Sequence, residues 1–217
     1  MKTPLAFFAR VLLLLPVTFF GWYLLASAFA APGVWVASAL LPAWLPGLID
    51  DVYLDGATMT VISTLGERGG QFLPAAQVGD AMGFRFDTRI LTYSVPFYAA
   101  LHFATPLPGS LERFARGLFL LWLMLIVGLV ATALKDLMLI LEARFLAEPG
   151  APPADAVALT YQFSTLIIPP LAPVLLWGWE ARRSPAIQAL FPALFPATAS
   201  GPEDEDEPPA PRSPLER

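Results

Sequence analysis

Residues 118–134 read LFLLWLMLIVGLVATAL, an uninterrupted run of 17 residues without a charged side chain. With a few flanking residues, the run reaches the roughly 20 residues that an α-helix needs to cross a bilayer. Arg113 and Arg116 precede it, and Lys135 and Asp136 follow it, so charges stand at both ends of the predicted helix. The stretch therefore predicts a transmembrane helix.

The composition of the whole chain agrees with a membrane protein. Of its 217 residues, 56% are hydrophobic and 14% are charged, whereas a soluble domain carries about 25% charged residues. Most of the net charge of −5 lies in the acidic tail from Gly201 to Arg217, and no basic face suggests nucleic acid. The chain has no cysteine, which excludes disulfides, thiolate nucleophiles and cysteine-ligated metals.

Three further spans are predicted over about 7–31, 90–104 and 160–179, which gives about four in total. The first has a second interpretation as a signal peptide, because Ala28-Phe29-Ala30 resembles a small-x-small cleavage site. Its apolar stretch is longer than the usual h-region of about 7–15 residues, which favours a retained helix.

Residues 32–90 differ from the spans in composition. Val34–Leu48 is apolar but contains Pro42 and Pro46, which indicates an interfacial helix or a pair of short turns. Residues 58–65 and 82–90 alternate apolar and polar side chains, with Phe84 and Phe86 on one side of the second segment. These segments predict a small β-hairpin or three-stranded sheet that packs against the helices or a partner.

The predicted fold is a mainly α membrane protein, with about four transmembrane helices and a small extracytoplasmic β-hairpin/α insert between helices 1 and 2. The acid- and proline-rich tail is predicted to be disordered from Ala197 onward. The predicted boundaries are 1–31 for the first helix, 32–90 for the insert, 91–183 for helices 2 to 4 and 184–217 for the cytoplasmic tail.

The positive charges predict the orientation. Arginines and lysines near span ends collect on the cytoplasmic side, so both termini are predicted to be cytoplasmic. The residues that define this side are Lys2, Arg10, Arg113, Arg116, Arg182 and Arg183.

Candidate chemistry is sparse, and each candidate has a structural alternative. His102 either relays a proton or hydrogen-bonds a carbonyl at the interface. Tyr161, Gln162 and Ser164 either line a substrate site at a proline-broken helix or hold helices together. A group of acids either binds a divalent cation or solvates the surface; these are Asp50, Asp51, Asp55, Asp80 and Asp87. A Ser-His-Asp triad can be assembled from Ser94, His102 and Asp87, but nothing in their spacing favours it over chance.

No catalytic, cofactor-binding or metal-binding residue is therefore predicted, and no cofactor is expected. The residues proposed for partner contact or helix packing are Tyr93, Pro96, His102, Tyr161, Gln162, Pro170 and Pro173.

Several local strings resemble the exosortase H-associated membrane proteins, small bacterial inner-membrane proteins that accompany one dedicated exosortase. The resemblance covers roughly residues 5–183, and its strings are Leu91–Pro96, Ala104–Pro106, Tyr161–Phe163 and Leu171–Trp177.

This resemblance implies a partner and not a reaction. Exosortases are polytopic transpeptidase-like proteases that use a cysteine, an arginine and a histidine on carboxy-terminal sorting signals, and this chain has no cysteine. The first hypothesis is thus a non-enzymatic accessory protein that contacts membrane lipid and, as partner, an exosortase, its sorting substrates or both. A small transporter or lipid-handling protein is the alternative, and an enzyme that uses Asp, Ser or His at the outer face is the third hypothesis.

Overall fold

The computed structural model describes residues 3–106, 109–182 and 184–192. Lys2, Arg183 and the predicted disordered tail lie outside these ranges. The helices are α1 (Pro4–Leu24), α2 (Ala26–Trp44), α3 (Ala75–Val78), α4 (Arg89–Thr92), α5 (Ser94–Ala104), α6 (Ser110–Leu141), α7 (Ala143–Leu146), α8 (Ala154–Gln162), α9 (Ile168–Ala181) and α10 (Pro185–Leu190).

The first two helices form one bent rod. Only Leu25 separates α1 from α2, and its N–H still donates to the Gly21 carbonyl at 3.1 Å. One residue is too few to reverse the chain, so α2 continues away from α1. It passes through Pro42 and ends before Leu45, whose extended φ of −125° is typical of a residue that precedes a proline. Pro42 therefore does not interrupt the helix.

Among the described residues, four helices are long and apolar enough to cross a membrane: α1, α2, α6 and the continuous helix Ala154–Ala181. The mainly α fold, with four candidate spans and a small β element, is confirmed. Two assignments along the chain change. The segment predicted as interfacial belongs to α2, and the predicted second span is α4 with α5, whose 11 residues extend only about 16 Å. The sheet therefore follows the second long helix.

Helix α5 lies at the centre of the bundle. Nine of its 11 residues are buried, because α1, α6 and α9 all pack against it. Pro96 lies in its first turn, where the missing N–H costs no helical hydrogen bond. A short helix enclosed by other helices does not have to match the thickness of the bilayer, which explains how an 11-residue helix fits among much longer ones.

The β element lies against α2. The strands β1, β2 and β5 form an antiparallel sheet in the order β1-β2-β5, and β3 pairs with β4 in a separate hairpin. The predicted strands correspond to β2 and β5, whereas β1 and the β3–β4 pair were not predicted. The bounds are β1 (Ile49–Asp55), β2 (Thr58–Ser63), β3 (Leu65–Arg68), β4 (Gln71–Pro74) and β5 (Gly83–Asp87).

The two faces of the three-stranded sheet have different surroundings. Val52, Val61 and Phe84 are paired across the strands and buried, and they share one core with residues of α2 and α6. The next residues along β1 and β5, Tyr53 and Arg85, are exposed on the other face. The predicted alternation in β5 is confirmed, and the sheet obtains its core from the helices.

The helix from Ala154 to Ala181 contains a π turn at Phe163–Ile167, one residue before two consecutive prolines. Pro169 and Pro170 lack the N–H groups that would continue the α-helical pattern. The π turn changes the hydrogen-bonding pattern ahead of the prolines, and the helix remains continuous through them. The prolines are thus accommodated by a local widening of the helix and do not break it.

Candidate functional site

Three polar side chains join α5 to α9 inside the bundle. Tyr98 and His102 are four residues apart and lie on one face of α5, and Glu180 stands in the last turn of α9. The Tyr98 hydroxyl donates to Glu180 Oε2 at 2.9 Å, and His102 Nδ1 lies 2.9 Å from the same oxygen. His102 is 0% exposed and the Glu180 side chain is 10% exposed. A carboxylate oxygen is therefore held by two buried partners.

The partners of His102 define its protons. Nε2 lies 2.7 Å from the Ser110 carbonyl oxygen, which can only accept, so Nε2 carries a proton. Nδ1 faces Glu180 Oε2 at hydrogen-bonding distance. Both ring nitrogens are thus occupied, and neither is free to accept a proton from a substrate. The histidine links α5 to α6 and α9.

A glycine makes room for this cluster. A Cβ atom at Gly117 on α6 would collide with the Tyr98 hydroxyl oxygen. One turn away, the ring of Phe114 stacks on Tyr98, with centroids 5.6 Å apart and an interplanar angle of 7°. The first turns of α6 are therefore shaped to receive the tyrosine that holds Glu180.

Aromatic side chains close the same end of the bundle. Trp177 Nε1 donates to Thr105 Oγ1 at 2.8 Å, directly after α5. Phe7 of α1 stacks on Trp177, with centroids 5.5 Å apart. These contacts bring α1 to the helices that carry the polar cluster, so four helices meet there.

An open cavity of about 590 Å³ lies beside the cluster, between α6 and α9. Glu180 contributes to its wall, so the carboxylate that holds Tyr98 and His102 also borders the cavity. The other lining residues are Gly109, Glu112, Arg113, Arg116, Gly117, Leu120, Leu176 and Trp179.

The predicted contact residues on the first half of the chain are not gathered in one place. His102 belongs to the polar cluster at the C-terminal end of α5. Pro96 is buried in the first turn of α5, and Tyr93 is half-buried between α4 and α5. Neither residue is a hydrogen-bond partner of His102 among the described residues.

The predicted residues on the second half surround the π turn. The Tyr161 carbonyl accepts from Thr165 Oγ1 at 2.6 Å, and the Lys135 ammonium lies 4.9 Å from the centroid of the Tyr161 ring. Gln162 and Pro170 are exposed, whereas Pro173 is buried in α9. Tyr161 thus contacts α6 through its ring, which is a packing contact between helices.

The enzyme and metal hypotheses find no matching geometry in the described part of the chain. Ser94 Oγ donates to the Leu91 carbonyl at 3.3 Å, and Asp87 pairs with Arg89 at 3.2 Å. His102 contacts Glu180, so Ser94, His102 and Asp87 each have a different partner and do not form a triad. The described residues contain no group of three or more His, Asp or Glu side chains that would hold a metal ion.

Glu180 and Tyr98 were not predicted from the sequence, although the sequence carries a signal for each. Glu180 is the only charged residue between Asp155 and Arg182, and intramembrane acids are expensive unless they are paired. An acid in the last turn of a helix is also disfavoured by the helix dipole. Tyr98 stands one helical turn before His102, which points to a shared partner.

The fold and the site define the class of the protein, which is a small polytopic membrane protein. A buried Tyr-His-Glu cluster joins its helices, and its sheet packs against one end of them. The chain belongs to the exosortase H-associated membrane protein family, whose family model matches residues 1–184. The resemblance stated above is thereby confirmed, and the family name implies association with an exosortase system. Searches of curated proteins and of solved structures find no match.

Proposed function

We propose that this chain is a non-enzymatic accessory subunit of an exosortase-type protein-sorting system in the bacterial inner membrane. The observation that carries the proposal is the family match over residues 1–184. The match includes all four candidate spans and the sheet. The partner is therefore an exosortase, one of its sorting substrates, or both.

The chemistry of the chain supports an accessory role. The chain has no cysteine, so it lacks the nucleophile on which exosortases depend. Its single histidine has both nitrogens engaged by Glu180 and Ser110. A histidine enclosed in this way stabilises the bundle and is not positioned to act on a sorting signal.

The exposed face of the sheet is the proposed contact surface, which we call the outer sheet face and define as Asp51, Tyr53, Asp55 and Arg85. Tyr53 is 46% exposed, and Asp55 pairs with Arg85 at 3.4 Å in an exposed ion pair. Exposed tyrosines and arginines are typical of protein interfaces. The opposite face is occupied by the helices, so only the outer sheet face is available to a partner.

The proposed orientation places the outer sheet face outside the cytoplasm. Arg113 and Arg116 share one cavity with Trp179 and Glu180, and Arg182 lies over the Trp179 ring. These arginines thus gather at one end of the bundle, as the distribution of basic residues predicts for the cytoplasmic side. The sheet follows the far end of α2, away from the N-terminus of α1.

The test is a pull-down of the tagged full-length protein from its native membrane in mild detergent, followed by mass spectrometry. We expect an exosortase or its substrates to co-purify with the wild type. Tyr53→Ala with Arg85→Ala should reduce their recovery, whereas Arg10→Ala, an exposed substitution on α1, should leave it unchanged. Deletion of the protein should also alter processing of sorting substrates. If no partner co-purifies and processing is normal, the proposal is wrong.

A small transporter or lipid-handling protein is the second candidate. It is favoured by an apolar groove of about 230 Å³ between α2, α6 and α8, lined by Trp44, Val127 and Leu134 among others. Specific ligand binding or flux in proteoliposomes, together with a preparation free of partners, would select this function. The absence of both activities would remove it.

A further inference from the structure

The cavity beside the polar cluster has a cationic side. Arg113 and Arg116 are three residues apart on one face of α6, and both line the cavity. Among the described residues, neither guanidinium forms an ion pair. Two unpaired arginines at one cavity provide a matched set of donors for an oxyanion, because the planar guanidinium binds phosphate through two hydrogen bonds.

The acids at the cavity are not paired with these arginines. Glu180 Oε2 already accepts from Tyr98 and lies 2.9 Å from His102 Nδ1. Glu112 is exposed, and among the described residues it forms no ion pair with either arginine. Both guanidinium groups are therefore available to an anion, and the positive end of the α6 dipole adds to the attraction.

Apolar side chains also line the cavity. Leu120 lies on α6 one turn after Arg116, and Leu176 and Trp179 belong to α9. Trp179 is 53% exposed, and the Arg182 guanidinium lies 5.8 Å from the centroid of its ring. Tryptophan beside arginine is the arrangement found at the level of lipid headgroups.

From this combination we propose that the cavity binds the headgroup of an anionic phospholipid. The phosphate lies between Arg113 and Arg116, and the upper part of an acyl chain lies along Leu120 and Leu176. Basic pockets between transmembrane helices at the cytoplasmic face bind anionic lipids in this manner, and about 590 Å³ is within the usual range for ligand sites. This site does not depend on the accessory function proposed above.

Native mass spectrometry of the full-length protein in mild detergent tests the proposal. Phosphatidylglycerol and phosphatidylcholine with identical acyl chains are supplied at equal concentration. We expect phosphatidylglycerol to be retained about tenfold more than phosphatidylcholine, because each basic contact adds to the affinity for an anionic headgroup. Arg113→Gln with Arg116→Gln should bring the two lipids to near parity.

Two matched variants accompany this measurement. Arg10→Gln with Arg144→Gln removes the same charge from exposed residues that do not line the cavity, and it should keep the preference. Arg113→Lys with Arg116→Lys keeps the charge and should retain most of the preference, which separates loss of the site from loss of the fold.

Three outcomes would overturn the proposal. The first is equal retention of the two lipids by the wild type, and the second is an unchanged preference in the Arg113→Gln, Arg116→Gln protein. The third is displacement of phosphatidylglycerol by inorganic phosphate at equal concentration, which would assign the arginines to a soluble anion. Persistence of the lipid in the presence of phosphate supports the membrane source.

Discussion

Glu180 is the residue on which the polar cluster depends. It stands in the last turn of α9, where the partial negative charge of the helix end disfavours an acid. The hydroxyl of Tyr98 and the ring of His102 offset this cost through two hydrogen bonds to one carboxylate oxygen. Because these partners come from α5, the cost of burying the acid is linked to the packing of two helices.

Replacing His102 with alanine should destabilise the protein by about 2–3 kcal/mol, since Glu180 and the Ser110 carbonyl both lose a partner. We expect the thermal midpoint in detergent to fall by roughly 5–10 °C. Gln188→Ala, which removes an exposed hydrogen bond, should change it little. In a double-mutant cycle, His102→Ala with Glu180→Ala should cost less than the sum of the two single changes. Additive costs would contradict the coupling.

A pair of glycine substitutions tests the fit of Tyr98 against α6. Gly117→Ala places a methyl group on the tyrosine hydroxyl and should cost about 1–3 kcal/mol through overpacking. Gly178→Ala on α9 meets nothing within 4 Å, and it should be neutral or stabilise the helix by up to about 1 kcal/mol. Thermal unfolding of both proteins gives the comparison. Equal midpoints would show that Tyr98 moves aside freely.

At the scale of elements, the three-stranded sheet depends on the helices for its stability. A sheet of this size has little interior of its own, and its buried face joins a core with Leu45, Leu137 and Leu141. The side chains of neighbouring residues on β2 point to opposite faces. Successive positions of one strand therefore differ in how much they contribute to the fold.

Val61 and Ile62 make this difference measurable. Val61 is 0% exposed in the shared core, so Val61→Ala should cost about 2 kcal/mol through lost packing and a cavity. Ile62 is only half-buried on the outer side of the sheet, and Ile62→Ala should cost less than about 1 kcal/mol. Thermal unfolding again compares the two. A larger effect at Ile62 would mean that the sheet packs by its other face.

The π turn shows how the helix accommodates consecutive prolines. The hydroxyl groups of Ser164 and Thr165 both donate to carbonyl groups of the preceding turn. Such bonds give an additional donor to the Thr160 and Tyr161 carbonyls, next to the point where the backbone pattern widens. Thr165 is buried, so its hydroxyl has a local role in the helix and is not free for a ligand.

At the scale of the whole molecule, the proposed orientation can be tested directly, because the chain contains no cysteine. A single cysteine at exposed Asp55 on β1 should react with a membrane-impermeant maleimide in intact spheroplasts. A cysteine at exposed Ala189 on α10 should react only after lysis, since it lies on the proposed cytoplasmic side. The reverse pattern would invert the orientation and move the outer sheet face to the cytoplasm.

The sequence by itself determined the class of the protein. The uncharged run at 118–134 and the low content of charged residues require a bilayer. The alternation at Phe84, Arg85 and Phe86 predicts a strand with one buried face. The transmembrane run and the strand alternation both involve residues that are close together in the chain, so a local sequence pattern is enough to predict them. The local strings likewise indicated the family.

Only the tertiary structure decided which helices surround which. Apolar composition does not distinguish a lipid-facing helix from one enclosed by protein, so α5 was predicted as an ordinary span and is instead the central helix. Glu180 and His102 are 78 residues apart in sequence and 2.9 Å apart in space. A buried acid is stable only beside its donors, and those donors are brought to it by packing between helices. The amino-acid composition is thus sufficient to predict a membrane protein. The polar cluster and its cavity depend on contacts between residues that are far apart in the sequence, and a local sequence pattern does not predict such contacts.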